Sequence, residues 1–136
     1  MRTMKIPNRA VIALVVVFLV VAPFVMPLAD MGWRLVQLLA VLVIGFVANM
    51  ARLVGAGDAK FAAAMAPFVI PTDLSFFLMM FAGVVLAAFV THRIARATPA
   101  IRRATPDWES WARADFPMGL ALGGGLVIYL AWAALA

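Results

Sequence analysis

The chain contains no cysteine and a single histidine, His92. The first absence excludes disulfides, a thiol nucleophile and a thiolate-bound zinc site. The second leaves a histidine-based metal centre or a Ser-His-Asp triad almost nothing to draw on, so neither a metal nor a cofactor is expected. Beside Arg93, His92 reads as a polar residue at the interfacial end of a span. Charge is scarce as well. Only 12% of the 136 residues are charged and 67% are hydrophobic, against about 25% and about 45–50% in soluble domains. A mean hydropathy of +1.09 agrees. This is the composition of a polytopic membrane protein: an all-α transmembrane helical bundle, small enough for residues 1–136 to form one domain. The formal net charge of +5 could suggest nucleic acid. However, the Lys and Arg residues sit in short loops between apolar runs, and no basic face alternates with aromatics. The lipid bilayer is therefore the expected partner, and nucleic acid is not.

Met1 to Arg9 is short and basic and contains Ile6-Pro7-Asn8. Ala10 to Ala29 follows, an apolar run about as long as a bilayer core requires. A secretory signal peptide has the same outline, but Pro27, two residues before Ala29, occupies the place where a small residue is wanted, and further spans follow. Pro23 and Pro27 predict a kink or an early end on the far side. Asp30 to Gly32 reads as a turn and Trp33 to Val54 as the second span, in which Gln37 and Asn49 are expected to make helix–helix hydrogen bonds. Phe61 to Ile70 is too short to cross about 30 Å at about 1.5 Å per residue. A short helix is expected there, running from Asp58 to Pro71 if Pro67 is tolerated.

Thr72 and Asp73 read as the cap of the next span, Leu74 to Thr91, whose Phe76, Phe77, Met79, Met80 and Phe81 suit packing and lipid contact. In the polar segment His92–Asp115, Thr105-Pro106-Asp107 reads as a helix start. Trp108 and Trp111 would then share one face of a helix lying at the membrane surface. The last span, Phe116 to Ala136, carries Gly119 and Gly123 at close-packing spacing. The total is five membrane segments, one of them short.

If these segments alternate sides, Arg2, Lys5, Arg9, Arg52, Lys60, Arg93, Arg96, Arg102, Arg103 and Arg113 share one side and only Arg34 falls opposite. That bias places the shared side, with the loop before the short helix, in the cytoplasm.

That loop is Gly55-Ala56-Gly57-Asp58-Ala59-Lys60. A carboxylate between small residues at the edge of hydrocarbon is costly unless something uses it. Asp58 has two readings, an N-cap of the helix that follows or a reacting acid. The glycines permit unusual dihedrals and remove side-chain bulk, so another peptide could approach. Lys60, two residues from Asp58, does not face it on a helix and reads as snorkelling toward head groups or contacting backbone near the site.

The hexapeptide resembles the Gly-x-Gly-Asp-x-Lys motif of type IV prepilin peptidases, membrane-embedded aspartic proteases. Ile6-Pro7-Asn8 is similar to the Ile-Pro-Asn that follows the first catalytic aspartate in that family, and Phe116-Pro117-Met118-Gly119 resembles the start of the family's last helix. The resemblance implies cleavage of the basic leader from prepilins or pseudopilins at the cytoplasmic face of a bacterial inner membrane. The small size and missing cysteine look most like the minimal Flp, or tight-adherence, type, without methyltransferase activity. Asp58 is then the catalytic acid, and Gly55, Gly57 and Lys60 line the substrate's approach. Pro7 and Asn8 set and cap the start of the first span.

The family chemistry also uses an aspartate several residues before the Pro-Asn. Arg2-Thr3-Met4-Lys5 holds no acid, and the family's additional first helix is not seen. The expectation is therefore a chain whose true start lies upstream, with a degenerate member as the other reading. As written it is expected to be a very poor protease. Asp107, Glu109 and Asp115 read as solvated loop charges, not substitutes. Two other classes stay open: a non-catalytic membrane subunit of a pilus or secretion assembly with the same fold, and a small carrier using Asp58 and Lys60.

Overall fold

The structure, a computed structural model, describes residues 5–112 and 116–136. Arg2, Arg113 and Asp115, which entered the charge argument, lie outside the described residues. Among the described residues there are helices and 3-10 turns and no strand. Four stretches, Asn8–Val25, Leu28–Met50, Pro71–Ala97 and Met118–Leu135, are long and apolar enough to cross a membrane. With the short helix between the second and third they make the five expected segments.

Helix α1 (Asn8–Val25) begins at Pro7, which has φ −69° and ψ 140° and whose carbonyl accepts the Ala10 N–H at 3.0 Å. Proline suits a helix start because its ring fixes φ and its missing N–H would find no partner there. Asn8 does not cap α1, contrary to the sequence expectation; it is the first helical residue, and no side chain caps the helix. Pro23 lies inside α1 without ending it. The end comes at Met26, extended at φ −148° and ψ 154° because the residue before a proline is driven out of the helical region. The turn therefore falls at Met26–Pro27, and α2 (Leu28–Met50) already includes Asp30 to Gly32. Asp30 sits in the first turn of α2, where the helix dipole favours a carboxylate. The same polar residue that suggests a turn therefore suits a helix start.

Contacts divide the described chain from Ile6 onward into two units, Ile6–Leu74 and Ser75–Ala136. In the first, α2 closes with Arg52 in the left-handed region at φ 59°. The Arg52 N–H donates to the Asn49 carbonyl and the Leu53 N–H to the Ala48 carbonyl, both at 2.9 Å, the pattern usually built on glycine. Helix α3 (Ala56–Met65) follows, continued by a 3-10 turn over Ala66–Phe68 and extended Val69 and Ile70. Ala59, Ala63, Ala64, Met65 and Ala66 are buried, and the small alanine side chains let α3 pack closely against α1 and α2. It lies close against Gly45 of α2, where an added Cβ would stand 2.9 Å from the Ala59 Cβ. Phe18 of α1 meets Phe68 edge-on at 5.6 Å.

The far end of this short column is held from α2. Arg34 Nη1 donates to the Val69 carbonyl and, at 3.5 Å, to that of Pro67, while Gln37 Nε2 donates to Val69 at 3.2 Å. Gln37 and Asn49 thus bond to irregular backbone, not helix to helix. The carbonyls freed where α3 stops need donors because hydrocarbon offers none.

A 3-10 turn over Pro71–Asp73 leads into α4 (Leu74–Ala97), which runs past its expected end at Thr91. Within Ser75–Ala136, α4 packs on α6 (Met118–Leu135) through aromatics. Phe77 stacks on Phe81 at 5.8 Å and meets Tyr129 edge-on at 5.5 Å, and Phe76 lies 4.4 Å from Trp132. The close-packing glycine is Gly125, where a Cβ would lie 2.7 Å from the Phe81 ring; Gly123 faces open space.

Between them lies α5 (Pro99–Ala104). Thr105-Pro106-Asp107 does not start a helix but turns the chain after α5, and a 3-10 turn, Glu109–Trp111, follows. Trp111 Nε1 donates to the Thr105 carbonyl at 2.8 Å, and its ring stacks on Trp108 at 5.5 Å and on His92 at 5.7 Å. His92 is consequently buried at 5% exposure, its Nε2 without a hydrogen-bond partner. The ring is thus packed inside the protein near the end of α4.

Candidate active site

The loop that carries Asp58 is built from its preceding helix. The reversal at Arg52 turns the chain, and Asn49 Nδ2 donates to the Val54 carbonyl at 2.9 Å, tying the loop to the end of α2. Gly55 then serves as the N-cap of α3, with φ −66° and ψ 145°. Asp58 is the third helical residue, so the N-cap reading of this acid does not hold. No described side chain bonds to its carboxylate, and the group is half-buried. Burial raises the Asp58 carboxyl above its ordinary value of 3.8. The helix N-terminus favours the charged form, and desolvation outweighs it.

Neither Gly55 nor Gly57 has a positive φ, so unusual dihedrals are not what glycine supplies here. What it supplies is space. A Cβ at Gly55 would stand 2.8 Å from Asp58 Oδ2, and one at Gly57 would lie 3.6 Å from the Ile6 Cβ and 3.7 Å from the Ile6 N and O. Gly57 therefore rests on the backbone of the Ile6-Pro7-Asn8 segment, and the structure brings the two motifs together. Pro7 and Asn8 follow directly, as N-cap and first residue of α1. Lys60 is exposed on the fifth position of α3.

Ile6 itself drew no attention as a contact in the sequence, nor did Asn49 as a loop tether. An asparagine five residues before a glycine-rich turn is the signal that could have found the latter. Asp30 and Asp73, the other acids of this unit, lie at the opposite ends of α2 and of the α3 column. Among the described residues no group of three or more His, Cys, Asp or Glu side chains could hold a metal ion.

Residues 1–91, which include both motifs, match the model of the type IV leader peptidase family. The chain belongs to that family. Neither the search of curated proteins nor that of solved structures returned a match. Membership gives the chain, in general terms, a leader-peptidase-like function in a membrane, and the arrangement around Asp58 is where its chemistry is sought.

Proposed function

We propose that this chain is an aspartic endopeptidase of the minimal Flp type, removing the basic leader from prepilins or pseudopilins at the cytoplasmic face of a bacterial inner membrane. The observation that supports the reading is the contact of Gly57 with Ile6, which sets Asp58 next to the segment the family places beside its other acid. Gly55 and Gly57 leave the carboxylate approachable by an extended peptide. Lys60 contacts head groups, and Pro7 and Asn8 fix the start of α1.

In such a pair the ionised acid draws a proton from water as the water oxygen attacks the scissile carbonyl carbon. The protonated acid donates to the carbonyl oxygen, and collapse of the tetrahedral intermediate hands a proton to the leaving amine. A buried, raised carboxyl suits the protonated role, which we give to Asp58, although the titration belongs to the pair. A single carboxylate lacks that division of labour. No other described carboxylate of the Ile6–Leu74 unit is near enough to serve, so the chain alone should cleave poorly.

The test is cleavage of a prepilin by membranes holding the chain, a form with an aspartate-bearing helix joined before Met1, and Asp58→Asn in that form. The reading expects weak cleavage from the first and efficient cleavage from the second. Loss of at least about a hundredfold is expected in the third, the size typical of removing an acid–base group. Full cleavage by the Asp58→Asn form would sink it. A joined form that never cleaves would favour a non-catalytic subunit of a pilus assembly, in which Asp58 only steadies the start of α3.

A further inference from the structure

At the end of the Ile6–Leu74 unit opposite Asp58, a groove of about 310 Å³ lies among α1, the start of α2 and the end of the α3 column. Phe18, Val21, Ala22 and Val25 line it from α1, Phe68 from the 3-10 turn and Arg34 from α2. The α1 residues recur at helical spacing and form one strip about 10 Å long. The groove exists because the column is short. Ten α-helical and three 3-10 residues rise about 21 Å of the roughly 30 Å of hydrocarbon. Beyond them only extended Val69 and Ile70 continue between α1 and α2. In a bilayer such a space is filled by lipid.

The cation in its wall narrows the choice. A guanidinium at the edge of hydrocarbon is costly without an anion. The Arg34 contacts with Val69 and Pro67 are to neutral carbonyls through Nη1; they orient the group without cancelling its charge. Nε and Nη2 are not used by either carbonyl, and a phosphodiester presents oxygens that match them. The other basic residues of this unit, Arg9, Arg52 and Lys60, sit at the opposite ends of their helices.

We propose that the groove holds one anionic phospholipid, with an acyl chain along the Phe18–Val25 strip and the phosphate on Arg34. The lipid completes the wall that the short α3 column leaves open, and it holds Arg34 where it caps the carbonyls of Pro67 and Val69.

Native mass spectrometry tests this on the full chain, released from detergent after incubation with equal amounts of dioleoyl phosphatidylglycerol and dioleoyl phosphatidylcholine. The expected result is one retained lipid per chain, with phosphatidylglycerol preferred about fivefold, the effect of a single cation near an anionic head group. Arg34→Gln should bring the ratio close to one, and Arg34→Lys should keep most of the preference. Val21→Trp, filling the groove from a half-exposed position, should reduce retention of both lipids. The double variant Arg102→Gln, Arg103→Gln should leave the ratio unchanged. Equal retention of the two lipids by the native chain, or an unchanged ratio in Arg34→Gln, overturns the proposal. So does a Val21→Trp chain that keeps its lipid and instead loses a dimer. If Arg34→Gln does not fold, the native ratio and Val21→Trp still decide.

Discussion

At Asp58, burial and the helix N-terminus pull in opposite directions, and burial prevails. The folded carboxyl binds its proton more tightly than the unfolded one, so its contribution to stability is fully present below the unfolded value of 3.8 and is lost as pH rises through the raised folded value. Asp58→Asn removes that loss. Thermal unfolding in detergent should find the variant more stable than the native chain at pH 7, with the advantage shrinking as pH falls through the raised folded value and gone below the unfolded value of 3.8. A pH-independent advantage would contradict this origin. A carboxyl raised by burial suits the reacting role proposed for Asp58, and its place beside two glycines was legible in the sequence. Why glycine is needed was not. The sequence suggests special dihedrals, whereas in the structure the missing side chain of Gly55 makes room for the carboxylate itself and Gly57 lies against Ile6 at ordinary contact distance. Arg52 was invisible for a related reason: nothing about an arginine announces a left-handed backbone.

At the scale of the element, α3 is positioned by small residues more than by length. Gly45→Ala would push a Cβ to 2.9 Å from the Ala59 Cβ and 3.3 Å from its Cα, so α2 and α3 must part, at a cost of about 1–3 kcal/mol. Gly57→Ala makes only ordinary contact with Ile6 at 3.6 Å and adds helix propensity. Unfolding measurements should find the first destabilised and the second unharmed. In a cleaving form, Gly57→Ala should nonetheless slow prepilin cleavage if the extended substrate passes over that face. The reverse order of stabilities would refute this account of the packing. Lengths of apolar runs made every membrane segment legible, because hydrocarbon thickness fixes them. The boundaries were harder where one residue type serves two ends. Asp30 suits a turn and a first helical turn alike, and Thr105-Pro106-Asp107 suits a helix start but closes α5 instead, held by Trp111. The burial of His92 was not legible because it depends on Trp111, far along the chain.

For the whole molecule, fold class followed from composition, since only helices or closed barrels satisfy backbone polar groups in lipid and the run lengths fit helices. That Ile6-Pro7-Asn8 and the Asp58 loop lie at the same end of their helices was legible from the alternation of the apolar runs. Their contact was not, because it depends on how three helices pack. That contact is the centre of the functional reading, and the absence of cysteine makes it directly measurable. Introduced at positions 6 and 57, two cysteines would have Cβ atoms about 3.6 Å apart, inside the range of roughly 3.5–4.5 Å for a disulfide. The account predicts that Ile6→Cys with Gly57→Cys forms an intramolecular disulfide on mild oxidation in membranes, seen as a mass loss of two hydrogens. Ile6→Cys with Asp30→Cys, at opposite ends of the unit, should not. A first pair that stays reduced, or that links only between chains, would contradict it.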